Sequence, residues 1–444
     1  VSDIRYTIIE GGVVVTMDAA RRVGRGDLLL EGDTIAAVRL EGDPPFDIGS
    51  ATCRLVDARG CAVLPGLIQA HVHVCQTLCR GSADDLPLLE WLKERVWPYE
   101  ASLDEKSMRA CARLAAAELL LGGTTAILDM GTVHEQDALF DALGQTGLRV
   151  VGGKAMMDHG EGVPARLRET TRASLDESDR LRRDWEGAFD GRIGYAYAPR
   201  FVLSCTEELL REVAARVAEG ARVHTHASEQ LPEVELVRRE RGDDNIRYFD
   251  RLGLGGPRAT LAHCVHPTAE ERAILAAKGT HVAHCPSSNL KLGSGIAPIP
   301  EMLAEGISIA LGADGAPCNN NLDGMLELRL AALLHKPRVG PAKMTAMQAL
   351  ELATLGGARA LGLADQVGAL EPGKRADVIV VDLETPHAAP SPDPVSAIVY
   401  AARSTDVRHV FVDGRHLVAG GVLTETTGLE RAAVVAEARA ARVG

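Results

Sequence analysis

Aromatic side chains are scarce, at three Trp, six Tyr and six Phe in 444 residues. The core must therefore be built from Ala, Val and Leu. No run approaches the ~18 uninterrupted apolar residues that a membrane-spanning helix needs. A hydrophobic fraction of 46% beside a charged fraction of 25% excludes a disordered chain. Positive charge is in deficit: 48 Lys and Arg against 61 Asp and Glu give −13. That balance repels phosphate backbones and anionic lipid, so neither nucleic acid nor a membrane is an expected partner. The nine cysteines form no C-x-x-C pair. In a chain this long they read as reduced, cytoplasmic thiols. No P-loop or dinucleotide fingerprint is present, and Gly122-Gly123 reads as a helix stop.

The pattern along the chain changes twice. Short β-rich runs separated by Gly and Asp fill the first sixty residues: Thr7–Ile9, Val13–Met17, Leu28–Leu30 and Ile35–Val38. Similar runs return at Ala376–Leu383, Val395–Tyr400 and Val407–Val412. Neither piece holds enough apolar residues for its own core, so both ends together form one small β-sandwich. Between them, apolar runs alternate with amphipathic segments such as Met108–Leu121, Thr206–Glu219 and Ala269–Lys278. The expected strands are Val63–His73, Thr124–Met130, Arg149–Met156, Gly194–Pro199, Arg222–His226, Ala259–His263, His281–Cys285 and Ile307–Asp314. Eight parallel strands alternating with helices make an α/β fold, a (β/α)8 TIM-type barrel. The expected division is 1–61 for the first part of the sandwich, 62–370 for the barrel, and 371–444 for the second part with a C-terminal helix.

Chemistry in such a barrel gathers at the strand ends. His71-Val72-His73 ends the first strand, and residues i and i+2 of a strand point the same way. His226 ends the fifth strand and Asp314 the last. Three imidazoles and a carboxylate at one barrel mouth suit a divalent, borderline cation.

Val63-Leu64-Pro65-Gly66-Leu67-Ile68-Gln69-Ala70-His71-Val72-His73, His226-Ala227-Ser228-Glu229, His263-Cys264, Ser287-Ser288-Asn289-Leu290-Lys291-Leu292-Gly293 and Leu311-Gly312-Ala313-Asp314 resemble the amidohydrolase superfamily. The nearest branch comprises deaminases of adenosine analogues: S-adenosylhomocysteine, 5′-methylthioadenosine and 5′-deoxyadenosine. Enzymes that dechlorinate or deaminate s-triazines are near relatives. The resemblance implies one metal, Zn2+ with Fe2+ or Mn2+ as alternatives, on His71, His73, His226 and Asp314. It gives His263 and Asp314 the handling of the attacking water, and makes Glu229 the acid that protonates ring nitrogen N3 as C6 is attacked. It places Trp91 beside the substrate and Glu100 on the ribose 2′ and 3′ hydroxyls. Two-metal members carry a lysine on the fourth strand; Arg192–Pro199 has none. The likeness further implies a small-molecule nucleoside substrate and a homo-oligomer.

Specificity is where the sequence departs from that branch. Positions that carry carboxylate-binding arginines are here Lys154 and Arg166, and a frequent His after Pro is Arg200. Arg and Lys are not equivalent at a bidentate site. These changes favour a short 5′ group over a homocysteine tail. Arg200 reads equally as a substrate contact or as the partner of a structural carboxylate. Another purine, a pterin or an s-triazine is the alternative substrate class, and Glu100 is the discriminating residue. A non-catalytic scaffold, the remaining alternative, would be expected to lose metal ligands. Cys264, Cys285 and Cys318 near the strand ends read as small packing residues.

Overall fold

A computed structural model describes residues 5–390 and 392–441. Two sheets organise it. One is mixed and nine-stranded. Thr34–Leu40, Val23–Glu31, Tyr6–Val15 and Cys61–Pro65 lie side by side, and Cys53–Asp57 pairs parallel to Tyr6–Val15. Val378–Asp382 then joins antiparallel to Cys61–Pro65, and Val407–Val412, Arg415–Ala419 and Val422–Leu423 follow. The two chain ends thus share hydrogen bonds. They also share a core in which Ile9, Leu28 and Val63 meet Val378, Val380 and Phe411.

The second sheet is the barrel. Its strands are Leu67–His73, Thr124–Met130, Arg149–Gly153, Ile193–Pro199, Arg222–Ala227, Ala259–His263, His281–His284 and Ser308–Leu311, each pairing parallel with the next. Closure comes from the last strand. After Leu311 it crosses over, and Asp314–Gly315 pairs with Val72–His73. Gly312 makes the crossing possible, because a Cβ there would lie 2.6 Å from the carbonyl oxygen of His71. Ala70, Ala126, Ala196, Ala283 and Ala310 pack into one cluster with Ile68, Leu128 and Val151. Small residues at these positions fit a core almost without aromatics.

Two expectations need correction. Val63–His73 is two strands, not one. Cys61–Pro65 belongs to the mixed sheet and Leu67–His73 to the barrel. The change of sheet occurs at Gly66, where a Cβ would sit 2.0 Å from Oγ1 of Thr125. Val395–Tyr400 is helical, not extended. Asp393 caps it by accepting from the N–H groups of Val395 and Ser396, and Pro394 occupies the first helical position. Cap chemistry outweighs β-propensity there. The helices meet expectation closely, at Glu105–Leu121, Glu207–Ala218 and Ala269–Lys278. The C-terminal helix Arg431–Ala441 packs on Glu105–Leu121, with Arg113 bonded to Glu437 at 2.9 Å. Among the described residues no helix is long and apolar enough to cross a membrane.

Candidate active site

Barrel closure sets Asp314 in register with Val72, beside His71 and His73. The ligating atoms of His71, His73, His226 and Asp314 lie within 4.8 Å of one another. Asp314 Oδ1 is 3.3 Å from Nε2 of His71 and 3.4 Å from Nε2 of His73.

Each imidazole is held from behind. His73 Nδ1–H donates to the carbonyl of Met130 at 2.8 Å, and His226 Nδ1–H donates to that of Arg200 at 2.6 Å. His71 Nδ1 meets Nε2 of His224 at 2.8 Å. A carbonyl cannot donate, so the protons of His73 and His226 are on Nδ1. Desolvation keeps the rings neutral: it pushes His73 down to about 3 and His71 and His226 below the ordinary imidazole value. The Nε2 lone pairs of His73 and His226 therefore face each other at 3.2 Å, and buried Nε2 of His71 has no hydrogen-bond partner. Such an arrangement is repulsive unless a cation lies between the lone pairs. The donor set fits one divalent metal ion of the kind that takes imidazole and carboxylate ligands. Asp314 is buried beside these rings, and its carboxylate is met by two hydrogen-bond donors. Ser288 Oγ and the Gly315 N–H both donate to it, at 2.6 and 2.8 Å.

His263 ends the sixth strand at φ 72°, and Asp314 sits at φ 63°. Left-handed backbone at two non-glycine residues costs of order 1–3 kcal/mol each, and such strain clusters at functional sites. His263 Nδ1–H donates to Asn289 Oδ1 at 2.9 Å. Its Nε2 faces Glu229 Oε2 at 3.5 Å and Asp314 Oδ2 at 3.8 Å. Burial raises Glu229 to about 7, so its acid form persists near neutral pH. A cavity opens over these groups. His73, His226, Glu229, His263 and Asp314 form its floor, and Trp91, Leu88, Leu92, Phe201 and Arg200 stand among its walls.

The amidohydrolase family matches residues 62–417 of this sequence. The chain belongs to the amidohydrolase family. A relative in Halobacterium salinarum, called 5-methylthioadenosine/S-adenosylhomocysteine deaminase, is 42% identical over 444 residues, covering 99% of this chain and 96% of the relative. A 5′-deoxyadenosine deaminase of Methanosarcina acetivorans is 38% identical over 441 residues and 98% of each chain. The crystal structure of an adenosine deaminase from Xanthomonas campestris with bound zinc superposes with a TM-score of 0.91 at 32% identity, over 98% of this chain and 97% of that one.

Within this amidohydrolase three expected binding residues do not reach the cavity. Lys154 is buried, its Nζ on Glu169 Oε2 at 2.5 Å and on Ser174 Oγ at 3.3 Å. Arg166 donates to the carbonyl of Leu103 at 2.9 Å. Glu100 is buried and paired with Arg200, which also lines the cavity. Four further residues escape the sequence reading. His224 backs His71, Gln76 donates to Glu100 at 2.7 Å, and Phe201 and Glu233 line the cavity. Their spacing carried the only signal: Gln76 lies three residues beyond His73, His224 two before His226, and Glu233 four beyond Glu229.

Proposed function

We propose that this amidohydrolase hydrolytically deaminates an adenosine analogue at C6, releasing ammonia and the inosine analogue. The preferred substrates in this reading are 5′-deoxyadenosine and 5′-methylthioadenosine. One observation carries it: three neutral imidazoles and Asp314 converge beneath a cavity that also holds an acid, Glu229, half-protonated near neutral pH. The deaminase relatives at about 40% identity support it.

His71, His73, His226 and Asp314 would hold zinc. Bound there, such an ion supplies ionisation of water at roughly neutral pH in place of 15.7. His263 Nε2, facing Asp314 and Glu229, orients the water, and Asp314 accepts its proton. Glu229 gives its proton to a ring nitrogen as the C–O bond forms at C6, which neutralises the charge developing on the ring. The ring nitrogen keeps that proton in the 6-oxo product. The proton on Asp314 goes to the departing amine, which leaves as ammonia, and the C6 hydroxyl proton returns to Glu229. Trp91 flanks the ring in the cavity wall. Lys154 has its charge met by Glu169, and exposed Arg166 donates to a main-chain carbonyl; neither lines the cavity. This supports the short 5′ group.

The test is kcat/KM for ammonia release by zinc-loaded protein from 5′-deoxyadenosine, 5′-methylthioadenosine, S-adenosylhomocysteine, adenosine and melamine. Highest values on the first two are expected. Turnover confined to melamine would overturn the nucleoside reading.

A further inference from the structure

One wall of the cavity is made by Leu88, Trp91 and Leu92, on the segment that follows the first barrel strand. The chain leading into that wall, residues 80–87, is neither strand nor helix. It turns through left-handed backbone at Gly81, φ 69°, and again at Asp85, φ 60°. No backbone ladder therefore holds it in place.

Side-chain donors hold it instead. Arg80 Nη1 donates to the carbonyl of Asn320 at 2.6 Å. Lys291 Nζ donates to Oδ1 of Asp84, to the carbonyl of Pro317 at 2.9 Å and to Oδ1 of Asn320. An ammonium has three donors, and here each has an acceptor. Pro317 and Asn320 lie just beyond Asp314, on and after the short helix Ala316–Asn319. Lys291 ends the helix Pro286–Lys291, in which Ser288 donates to Asp314 and Asn289 accepts from His263. One short helix thus contacts a metal-ligating carboxylate, the histidine that orients water, and the lead into the cavity wall. Behind the ion pair, Leu88, Trp91 and Leu92 pack in one cluster with Leu292 and Cys318. Apolar packing is non-directional, whereas a charge-assisted hydrogen bond fixes position.

We propose that Lys291 is a positioning residue: its bond to Asp84 fastens the Leu88–Leu92 wall over the metal site and so sets the affinity for substrate. This inference rests on the deaminase reading above. Lys291 is not among the residues that line the cavity, so it acts through Asp84 and not on the ring. A wall fastened for only a fraction of the time lowers the apparent affinity by that fraction. Chemistry in the fastened state is unaltered, so KM rises and kcat holds.

The experiment compares wild type, Asp84→Asn, Lys291→Met and the double variant, all zinc-loaded, on 5′-deoxyadenosine. Asp84→Asn leaves Lys291 its contacts with Pro317 and Asn320, so it isolates the wall. KM should rise about fivefold in Asp84→Asn, the scale of a partly exposed ion pair, with kcat within about twofold of wild type. The double variant should match Lys291→Met, because both residues act through one bond. Hydrogen exchange over residues 81–92 should quicken about fivefold in Asp84→Asn, and that of the helix Glu105–Leu121 should not change. Unchanged KM in Asp84→Asn, or a fall in kcat with KM held, would overturn the proposal, while turnover by wild type would leave the deaminase reading standing. No ammonia from wild type with 5′-deoxyadenosine, 5′-methylthioadenosine or adenosine would overturn both. Asp84 is exposed, so its variant decides even where Lys291→Met fails to fold.

Discussion

His73 and His226 face each other through bare Nε2 atoms at 3.2 Å, with both Nδ1 protons committed to main-chain carbonyls. Neutral rings in this pose repel unless a cation separates them. Chelator treatment should therefore destabilise the protein, and zinc should restore it. With free zinc about a thousandfold above Kd, the unfolding free energy rises by about 4 kcal/mol. Thermal unfolding with and without chelator checks this, alongside metal analysis. A melting temperature indifferent to zinc would refute the reading of these lone pairs.

His224 touches no cavity wall, yet its Nε2 stands 2.8 Å from Nδ1 of His71. It acts on the site by positioning His71. With His71 Nε2 turned to a cation, its Nδ1–H must donate to His224. Groups in this relation are worth 10–100-fold in metal affinity. His224→Phe should weaken zinc binding by about that factor, and His224→Gln should recover part of it by offering an amide oxygen. Competition against a chromophoric chelator reads the affinity directly. Equal affinity in the Phe variant would deny His224 this role.

The barrel and the mixed sheet are joined by a buried ionic contact. Arg149, on the third barrel strand, reaches Asp377 Oδ2 and Oδ1 at 3.0 Å each, and Asp413 Oδ1 at 2.5 Å. Arg149→Met would remove the cation of buried Asp377 and leave Asp413 with only the more distant Arg192 and Arg375, at 3.7 and 3.8 Å. Breaking a buried pair this way costs about 3–5 kcal/mol. Urea unfolding should show that loss, while the zinc content of the folded fraction stays at one per chain. A change below about 1 kcal/mol would show that water or Arg375 compensates.

Glu233 gives a pH signature in stability. Burial raises it from 4.5 to about 8. Between those values the native state keeps a proton that the unfolded chain has released, so stability falls as pH rises through that window and levels off above about 8. The loss is at most about 5 kcal/mol. Asn245 donates to Oε1, and Oε2 has no partner, so Glu233→Gln keeps the bond and removes the titration. Asp129 and Glu327, both raised to about 7 by burial, contribute slopes of the same sign. The quantity to read is thus the difference between wild type and variant. Parallel curves would exclude Glu233 as a source.

Local patterns carried most of what the sequence revealed. His71-x-His73, His226 and Asp314 each end a strand whose apolar run is plain, and barrel topology then brings them together. Residues whose role depends on a distant partner were not legible. Glu100 and Arg200 lie 100 positions apart, and only the fold shows that one pairs with the other. Lys154 likewise has its charge met by Glu169 across a loop. The helix at Pro394–Ala401 was hidden because Val395, Ile398, Val399 and Tyr400 read as a β-rich run, and the cap at Asp393 outweighs them. Gly66 divides one apolar stretch between two sheets through a contact with Thr125, which spacing alone does not disclose.

The most direct test of the central claim is mass spectrometry of the product made from 5′-deoxyadenosine in isotopically labelled water, by zinc-loaded and metal-stripped protein side by side. The account predicts one labelled oxygen in place of the amine, an equal amount of ammonia, no turnover by the stripped protein, and recovery with one zinc per chain. Unlabelled product, or equal turnover without metal, would contradict it.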